Sequence, residues 1–161
     1  MLIHPFEPVY DADCAALVLG TMPSPASRKA GFYYGHPRNR FWAVLAAIFD
    51  APFPVSTESR RRLALENHIA LWDVLASCEI EGAADNSIKH PACNDFIPLL
   101  GRARIRRIYT TGKKAYTLYS KFCRAGTGIA ATPLPSTSPA NCGVSFAELC
   151  KCYAALRTGQ L

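Results

Sequence analysis

Apolar and polar positions fall into blocks along the chain, and the spacing changes from block to block. An apolar run closing on Gly20 predicts a buried strand over Cys14–Gly20. From Asn39 to Phe49 the residues Phe41, Trp42, Leu45, Ile48 and Phe49 recur at helical spacing and predict a helix with one apolar face. Pro52 and Pro54 mark a turn. Ser56 or Thr57 caps a second helix reaching His68, with Arg60, Arg61 and Arg62 as its wet side. Ile69 to Leu75 predicts a second strand, and Glu79 to Ala92 a polar loop carrying Asp85, Asn86, Ser87, Lys89 and His90. Asn94 or Asp95 caps a short helix to Leu100. Arg106 to Thr111 predicts a third strand, leading through Gly112 into a helix from Lys113 to Phe122. Gly128 to Pro133 predicts a fourth strand and Pro133 to Gly143 a loop. Val144 to Arg157 predicts a last helix, striped by Phe146, Leu149, Cys150, Tyr153 and Leu156.

Strands alternating with helices predict an α/β fold, a parallel sheet with helices on both faces, as one domain over 1–161. In such sheets ligands bind beyond the carboxyl ends of the strands. The loops at 20–38, 76–93, 111–113 and 133–143 each follow a strand and are expected to gather on one edge. The first is long for a compact domain, which marks it as a working loop. Its aromatic residues, beside Arg28, Lys29, Arg38 and Arg40, suit a flat, anionic ligand such as a nucleotide.

Composition narrows the classes. Half the residues are hydrophobic, which excludes a disordered chain. No apolar run approaches the ~18 residues that span a bilayer, so no membrane partner is expected. Met1 to Tyr10 lacks the basic and apolar regions of a secretory signal, so a cytoplasmic, nucleoid-associated location is expected. The formal net charge is +6. Arg60–Arg62, the Arg102, Arg104, Arg106, Arg107 group, and Lys113 with Lys114 are local basic clusters. They favour a polyanion or serve as solvated faces. The seven cysteines form no Cys-x-x-Cys pair, and buried free thiols rather than a metal site are expected.

Several motifs are absent: a phosphate-binding Gly-x-x-x-x-Gly-Lys-Ser/Thr run, a Gly-x-Gly-x-x-Gly turn, a Gly-x-Ser-x-Gly elbow and a zinc-deaminase signature. Three stretches stand out instead: Gly20-Thr21-Met22-Pro23-Ser24, then Tyr33-Tyr34-Gly35-His36-Pro37-Arg38-Asn39-Arg40-Phe41-Trp42, then Leu134-Pro135-Ser136-Thr137-Ser138-Pro139-Ala140-Asn141. With Leu71-Trp72-Asp73-Val74-Leu75 and the Asp85–Ile88 turn, they resemble the uracil-DNA glycosylase superfamily. The resemblance covers most of the chain and is greatest to the hypoxanthine-DNA, or deoxyinosine, glycosylase branch. Mismatch-specific uracil/thymine glycosylases are close relatives of that branch.

The resemblance implies a three-layer fold around a central four-stranded parallel sheet. It implies a monomeric, cofactor-free and metal-free hydrolase. That enzyme would flip a deaminated base out of double-stranded DNA and cut its N-glycosidic bond, leaving an abasic site. Most of the superfamily has Asp or Asn where this chain has Met22, and many members have His where it has Leu134. In the deoxyinosine branch the Asn of His-Pro-x-Asn is implicated, which here is Asn39. Asn39 is therefore the expected catalytic residue, orienting water, and it also suits a helix N-cap. Gly20, Thr21, Met22, Pro23, Tyr34 and His36 are expected to line the base pocket, with Tyr34 as stacking platform. Phe32 or Tyr33 is a possible helper of that platform. Ser136, Thr137, Ser138, Pro139, Ala140, Asn141 and Lys113 are expected to hold DNA. Asp73 is the carboxylate nearest a strand end, suited to orienting a loop or to acting as a base. A uracil/thymine mismatch glycosylase, a non-catalytic damaged-DNA-binding module and an enzyme of free nucleosides are the alternatives.

Overall fold

A computed structural model describes residues 1–158. In chain order the elements are β1 (Leu2–Ile3), β2 (Ala16–Gly20), α1 (Pro25–Ala30), α2 (Phe41–Ile48), α3 (Thr57–Glu66), β3 (Ile69–Asp73) and β4 (Leu75–Glu79). They continue with β5 (Lys89–Cys93), α4 (Ile97–Arg102), β6 (Arg107–Thr111), α5 (Lys113–Phe122), α6 (Arg124–Thr127), β7 (Ala131–Leu134), α7 (Phe146–Tyr153) and α8 (Ala155–Thr158).

Four strands form the central sheet in the order β3-β2-β6-β7, every neighbouring pair parallel. Side chains alternate across a strand, so each strand feeds two cores. Ala16 and Val18 of β2 join Ile69, Leu71 and Tyr109 on one face, beneath α2, α3, α7 and α8. Leu17 and Leu19 join Ala70 and Ile108 on the other, beneath α4 and α5. That double burial explains why β2 reads as an unbroken apolar run: all five of its residues are buried. The expected three-layer α/β architecture is present.

The structure corrects the sequence reading in several places. The long loop after β2 contains a helix, α1, capped by Ser24, started by Pro25 and stopped by Gly31 at φ 80°. The second strand breaks at Val74 into β3 and β4. The stretch Glu79–Ala92 is not all loop, because β5 begins within it at Lys89. β1, β4 and β5 make a separate antiparallel sheet in the order β1-β4-β5. Its outer strands show little alternation to betray them, β1 having two residues and β5 being half polar. The fourth strand starts at Ala131 rather than Gly128, and the last helix divides at Ala154. Asn94 does not cap α4: its amide instead donates to the carbonyls of Asp73 and Leu75. Asp95 accepts from the Ile97 N–H at 3.0 Å. Ser56 caps α3 in a reciprocal arrangement with Ser59. The α3 arginines are not simply wet: Arg60 lies over the Trp42 ring and Arg61 over Phe32, 5.8 and 5.6 Å from the ring centres.

Candidate active site

The carboxyl ends of β2, β3, β6 and β7 surround a cavity of about 310 Å³, at the small end of the ~300–1,000 Å³ typical of ligand sites. All four post-strand loops contribute to it. Gly20, Thr21, Met22, Pro23, Tyr34, His36 and Asn39 line it from the first loop, and Ile80, Gly82, Ala83 and Asp85 from the second. Thr111 follows β6, and Ser136, Thr137, Ser138, Pro139 and Ala140 follow β7. Asn141 and Lys113 lie outside it, in an adjoining wider groove that also carries Lys114. The cavity and groove share Ala83, Asp85, Ser136, Ser138 and Ala140, so two loops border both.

The first loop is held by its own polar groups. Ser27 is buried and accepts the Gly35 N–H at 3.0 Å, tying the end of the loop to α1. Trp42 donates its indole N–H to the Tyr33 carbonyl at 3.0 Å. Between these anchors Tyr34 takes the left-handed backbone conformation, φ 53°. A tyrosine there is strained and persists only where its surroundings fix it. Its ring stacks on Phe41, centroids 3.9 Å apart and planes at 16°, and its hydroxyl meets Thr111 Oγ1 at 3.3 Å. One face is thus covered by Phe41, while the residue borders the cavity. Burial pushes the hydroxyl's pKa up, the Asp73 charge pushes it further, and the Thr111 bond opposes both. Tyr33 also borders the cavity, with its ring largely buried in the core and its hydroxyl donating to the Glu7 carbonyl at 2.8 Å. Phe32 is also core, stacked on Trp42.

Asn39 is fixed at one end. Its Oδ1 accepts the Phe41 backbone N–H at 2.9 Å and the Thr137 hydroxyl at 2.8 Å. The backbone N–H can only donate, which identifies this end of the amide as the oxygen. The two bonds match the two lone pairs of Oδ1. The group left for the cavity is the Nδ2 amide, a donor. The side chain therefore does bond the first turn of α2, from one position before the N-cap Arg40. Arg40 clamps the loop after β7, donating to the carbonyls of Val144 and Asn141 at 2.5 and 2.9 Å. Its backbone N–H reaches the Thr137 carbonyl at 3.1 Å. Within that loop Ser136 Oγ accepts the Ser138 N–H, and Asn141 Nδ2 donates to the Ser136 carbonyl. His36 Nδ1 accepts the Arg38 N–H at 3.0 Å, a turn-holding bond.

Two residues with no strong signal in the sequence also belong here. Thr111 lies at the end of β6. His4 reaches the cavity's Asp73 from 69 positions away, Nε2 to Oδ2 at 2.7 Å. A solitary histidine near the amino terminus matches no motif, and only the tertiary fold brings the two together.

Known proteins are similar to this chain in sequence and fold. The family model described as the uracil DNA glycosylase superfamily matches residues 7–157. The chain is similar to a hypoxanthine DNA glycosylase of Methanosarcina acetivorans, 34% identical over 143 residues, covering 88% of this chain and 89% of the relative. It is also 34% identical over 112 residues to one of Methanosarcina barkeri, covering 68% and 71%. A solution NMR structure of a candidate uracil DNA glycosylase from Methanosarcina acetivorans superposes with a TM-score of 0.85 at 30% identity, over 100% of both chains. A parallel sheet in the order β3-β2-β6-β7, a cavity at its carboxyl edge and a family match across nearly the whole chain agree: the chain belongs to the uracil DNA glycosylase superfamily.

Proposed function

We propose that this protein is a DNA glycosylase that hydrolyses the N-glycosidic bond of hypoxanthine, leaving an abasic site. The observation that carries the reading is the convergence of Asn39, Tyr34 and the 136–140 loop on one cavity sized for a small flat ligand. The substrate reading is supported by the relatives, both hypoxanthine DNA glycosylases. A base stacked in a duplex cannot enter such a cavity, so the nucleotide is extruded first. Tyr34, backed by Phe41, offers it a stacking face. The adjoining groove, with Lys113, Lys114 and Asn141, follows the phosphate backbone of a duplex that one copy of the chain engages.

The C1′–N bond breaks with oxocarbenium character, the bonding pair leaving on the base. The Asn39 Nδ2–H donates to the departing base, stabilising the negative charge that grows on it in the transition state. Water then adds its oxygen to C1′, and the proton it releases ends on the base. An amide suffices because a dissociative reaction asks for positioning more than for a strong base.

The test uses labelled duplexes carrying hypoxanthine, uracil, xanthine or mispaired thymine. Hypoxanthine release that falls ~10²–10³-fold in Asn39→Ala supports the reading. Release of none of the four bases, with binding retained, points instead to a damaged-DNA-binding module.

A further inference from the structure

Two of the seven cysteines meet away from the cavity. Cys93 closes β5 and is half-buried. Cys123 follows α5 and is 6 % exposed. Their thiols are hydrogen-bonded to each other, and neither residue borders the cavity or the groove. The chain is fixed on both sides of the contact. Cys93 pairs with Leu75 of β4, and the next residue, Asn94, donates its N–H to the Val74 carbonyl at 2.8 Å. The Cys123 N–H donates to the Tyr119 carbonyl, also at 2.8 Å. The Phe96 ring meets the Tyr119 ring edge-on, centroids 6.2 Å apart. The segments that carry the two thiols therefore pack on each other, and both cysteines sit in or against the core on the α4–α5 face.

The two thiols are not equivalent. The bond from Cys123 lowers the Cys93 thiol from its ordinary value, although burial opposes it. The same bond, and then burial, push Cys123 the other way. Cys93 thus carries thiolate character where solvent reaches it, with a buried thiol beside it. That is the arrangement of a reactive cysteine and its resolving partner. Cys14 and Cys78 differ: both are fully buried, and burial raises both. Cys142 is exposed, in the loop after β7.

We propose that Cys93 and Cys123 form an oxidation site, a dithiol that a peroxide closes to a disulfide joining β5 to the end of α5. The Cys93 thiolate attacks the peroxide and takes one oxygen as sulfenic acid. The other oxygen leaves with the O–O bonding pair and takes up a proton. Cys123 then gives up its proton and attacks the Cys93 sulfur, so the S–S bond forms and the sulfenic hydroxyl leaves with that proton as water. The two thiols lose two electrons, and hydrogen peroxide becomes two waters. The thiols already touch, so closure needs little movement. The loop that the bond closes runs through α4, β6 and α5. It ties together two elements that frame the site: the stretch before β5 lends Ile80, Gly82 and Asp85 to the cavity, and α5 lends Lys113 and Lys114 to the groove. Reversible oxidation here stiffens the frame without touching the pocket, whichever base the pocket takes.

The experiment treats the folded full chain with hydrogen peroxide at neutral pH, quenches it in acid, alkylates the remaining thiols in urea and maps the peptides by mass spectrometry. Exposed Cys142 is the internal gauge that oxidant has acted. The expected product is one cross-linked peptide pair, Cys93 to Cys123, which dithiothreitol separates. The oxidised chain is expected to melt about 5–15 °C above the reduced one, as a disulfide across a loop of this kind stabilises. In Cys123→Ser the resolving thiol is gone, so Cys93 is expected to stay a sulfenic acid that dimedone labels, with no rise in Tm. Recovery of Cys93 and Cys123 as alkylated thiols, under conditions that oxidise Cys142, overturns the proposal. A Cys93–Cys123 link that lowers Tm overturns it as well, because the thiols would then not be placed for the bond. Should the variant fail to melt cooperatively, the wild-type peptide map and melting curve decide. None of these readouts needs base release, so a chain that frees no base refutes the proposed function and leaves this site standing.

Discussion

Replacing Thr137 by valine tests whether the orientation of the Asn39 amide matters. Thr137 is 1 % exposed, and valine matches its shape, so the perturbation is the loss of one hydroxyl. That hydroxyl donates to Asn39 Oδ1 at 2.8 Å. The Phe41 N–H, at 2.9 Å, still holds the same oxygen in the variant. A neutral hydrogen bond of this kind is worth about 1 kcal/mol net, which sets the expected loss of unfolding free energy. If the same ~1 kcal/mol is also lost from the alignment of Nδ2 in the transition state, the rate falls about fivefold. That is far smaller than the ~10²–10³-fold expected when a charge-stabilising donor is removed outright. The assay is single-turnover release of hypoxanthine beside urea unfolding, with Thr137→Ser as the control that keeps the hydroxyl. Duplex affinity should stay unchanged, because the hydroxyl is spent inside the protein. A Thr137→Val enzyme that is less stable by about 1 kcal/mol yet as fast as wild type would refute the reasoning. The bond would then be structural only.

Three further outcomes follow from the geometry. Asn39→Asp keeps both bonds to Oδ1 but replaces the Nδ2 donor with an acceptor, so single-turnover release should be as impaired as in Asn39→Ala. Activity at or above wild type would instead mean that this end of the side chain accepts a proton from water. Tyr34→Ala should slow release or weaken substrate binding by the ~1–3 kcal/mol of a base–aromatic stack. Tyr34→Phe, losing only a 3.3 Å contact to Thr111, should stay within about threefold in the same kinetics. Stability should decline in alkali. Burial raises the Cys14 thiol from its ordinary 9.0 to about 12, and burial also raises the Tyr33 and Tyr153 hydroxyls. The unfolded chain ionises these groups first, so their contribution is complete below pH 9 and is lost as pH rises toward 12. Urea midpoints across that range check the direction.

Sequence pattern revealed the central sheet chiefly through β2, β3 and β6, which are mostly buried, whereas β7 is half exposed. β2 reads as an apolar run and α2 as a helical stripe for the same reason: each has a core to fill. The antiparallel sheet was hidden because β1 has two residues and β5 is half polar, so neither carries a period. At the site, the residues of the first loop and of 136–140 were legible, since their motifs place them at strand ends. Asn141 and Lys113 fell one loop outward, in the groove. The direction in which Asn39 presents its amide was not legible. It depends on Thr137, 98 positions away. The His4 contact to Asp73 spans 69 positions and likewise leaves no local trace.

Met22 and Leu134 show why the polar groups sit where they do. Both lie at the carboxyl edge of the sheet, and both are drawn into packing. Met22 rests against the core on the α4–α5 face, and Leu134, 5 % exposed, belongs to the core on the α2 face. A polar side chain at Leu134 would bury a group without a partner, at a cost of ~1–3 kcal/mol. Two polar groups that reach the cavity have partners that offset their burial. Asn39 gives its oxygen to Phe41 and Thr137 and keeps a neutral donor. Asp73 gives one oxygen to His4 and keeps a charged acceptor. The two positions cannot exchange roles. The Phe41 N–H requires an oxygen from position 39, and His4 Nε2 requires an acceptor at position 73. The backbone at the start of α2 and the histidine brought in by β1 thus dictate which side of the cavity donates and which accepts.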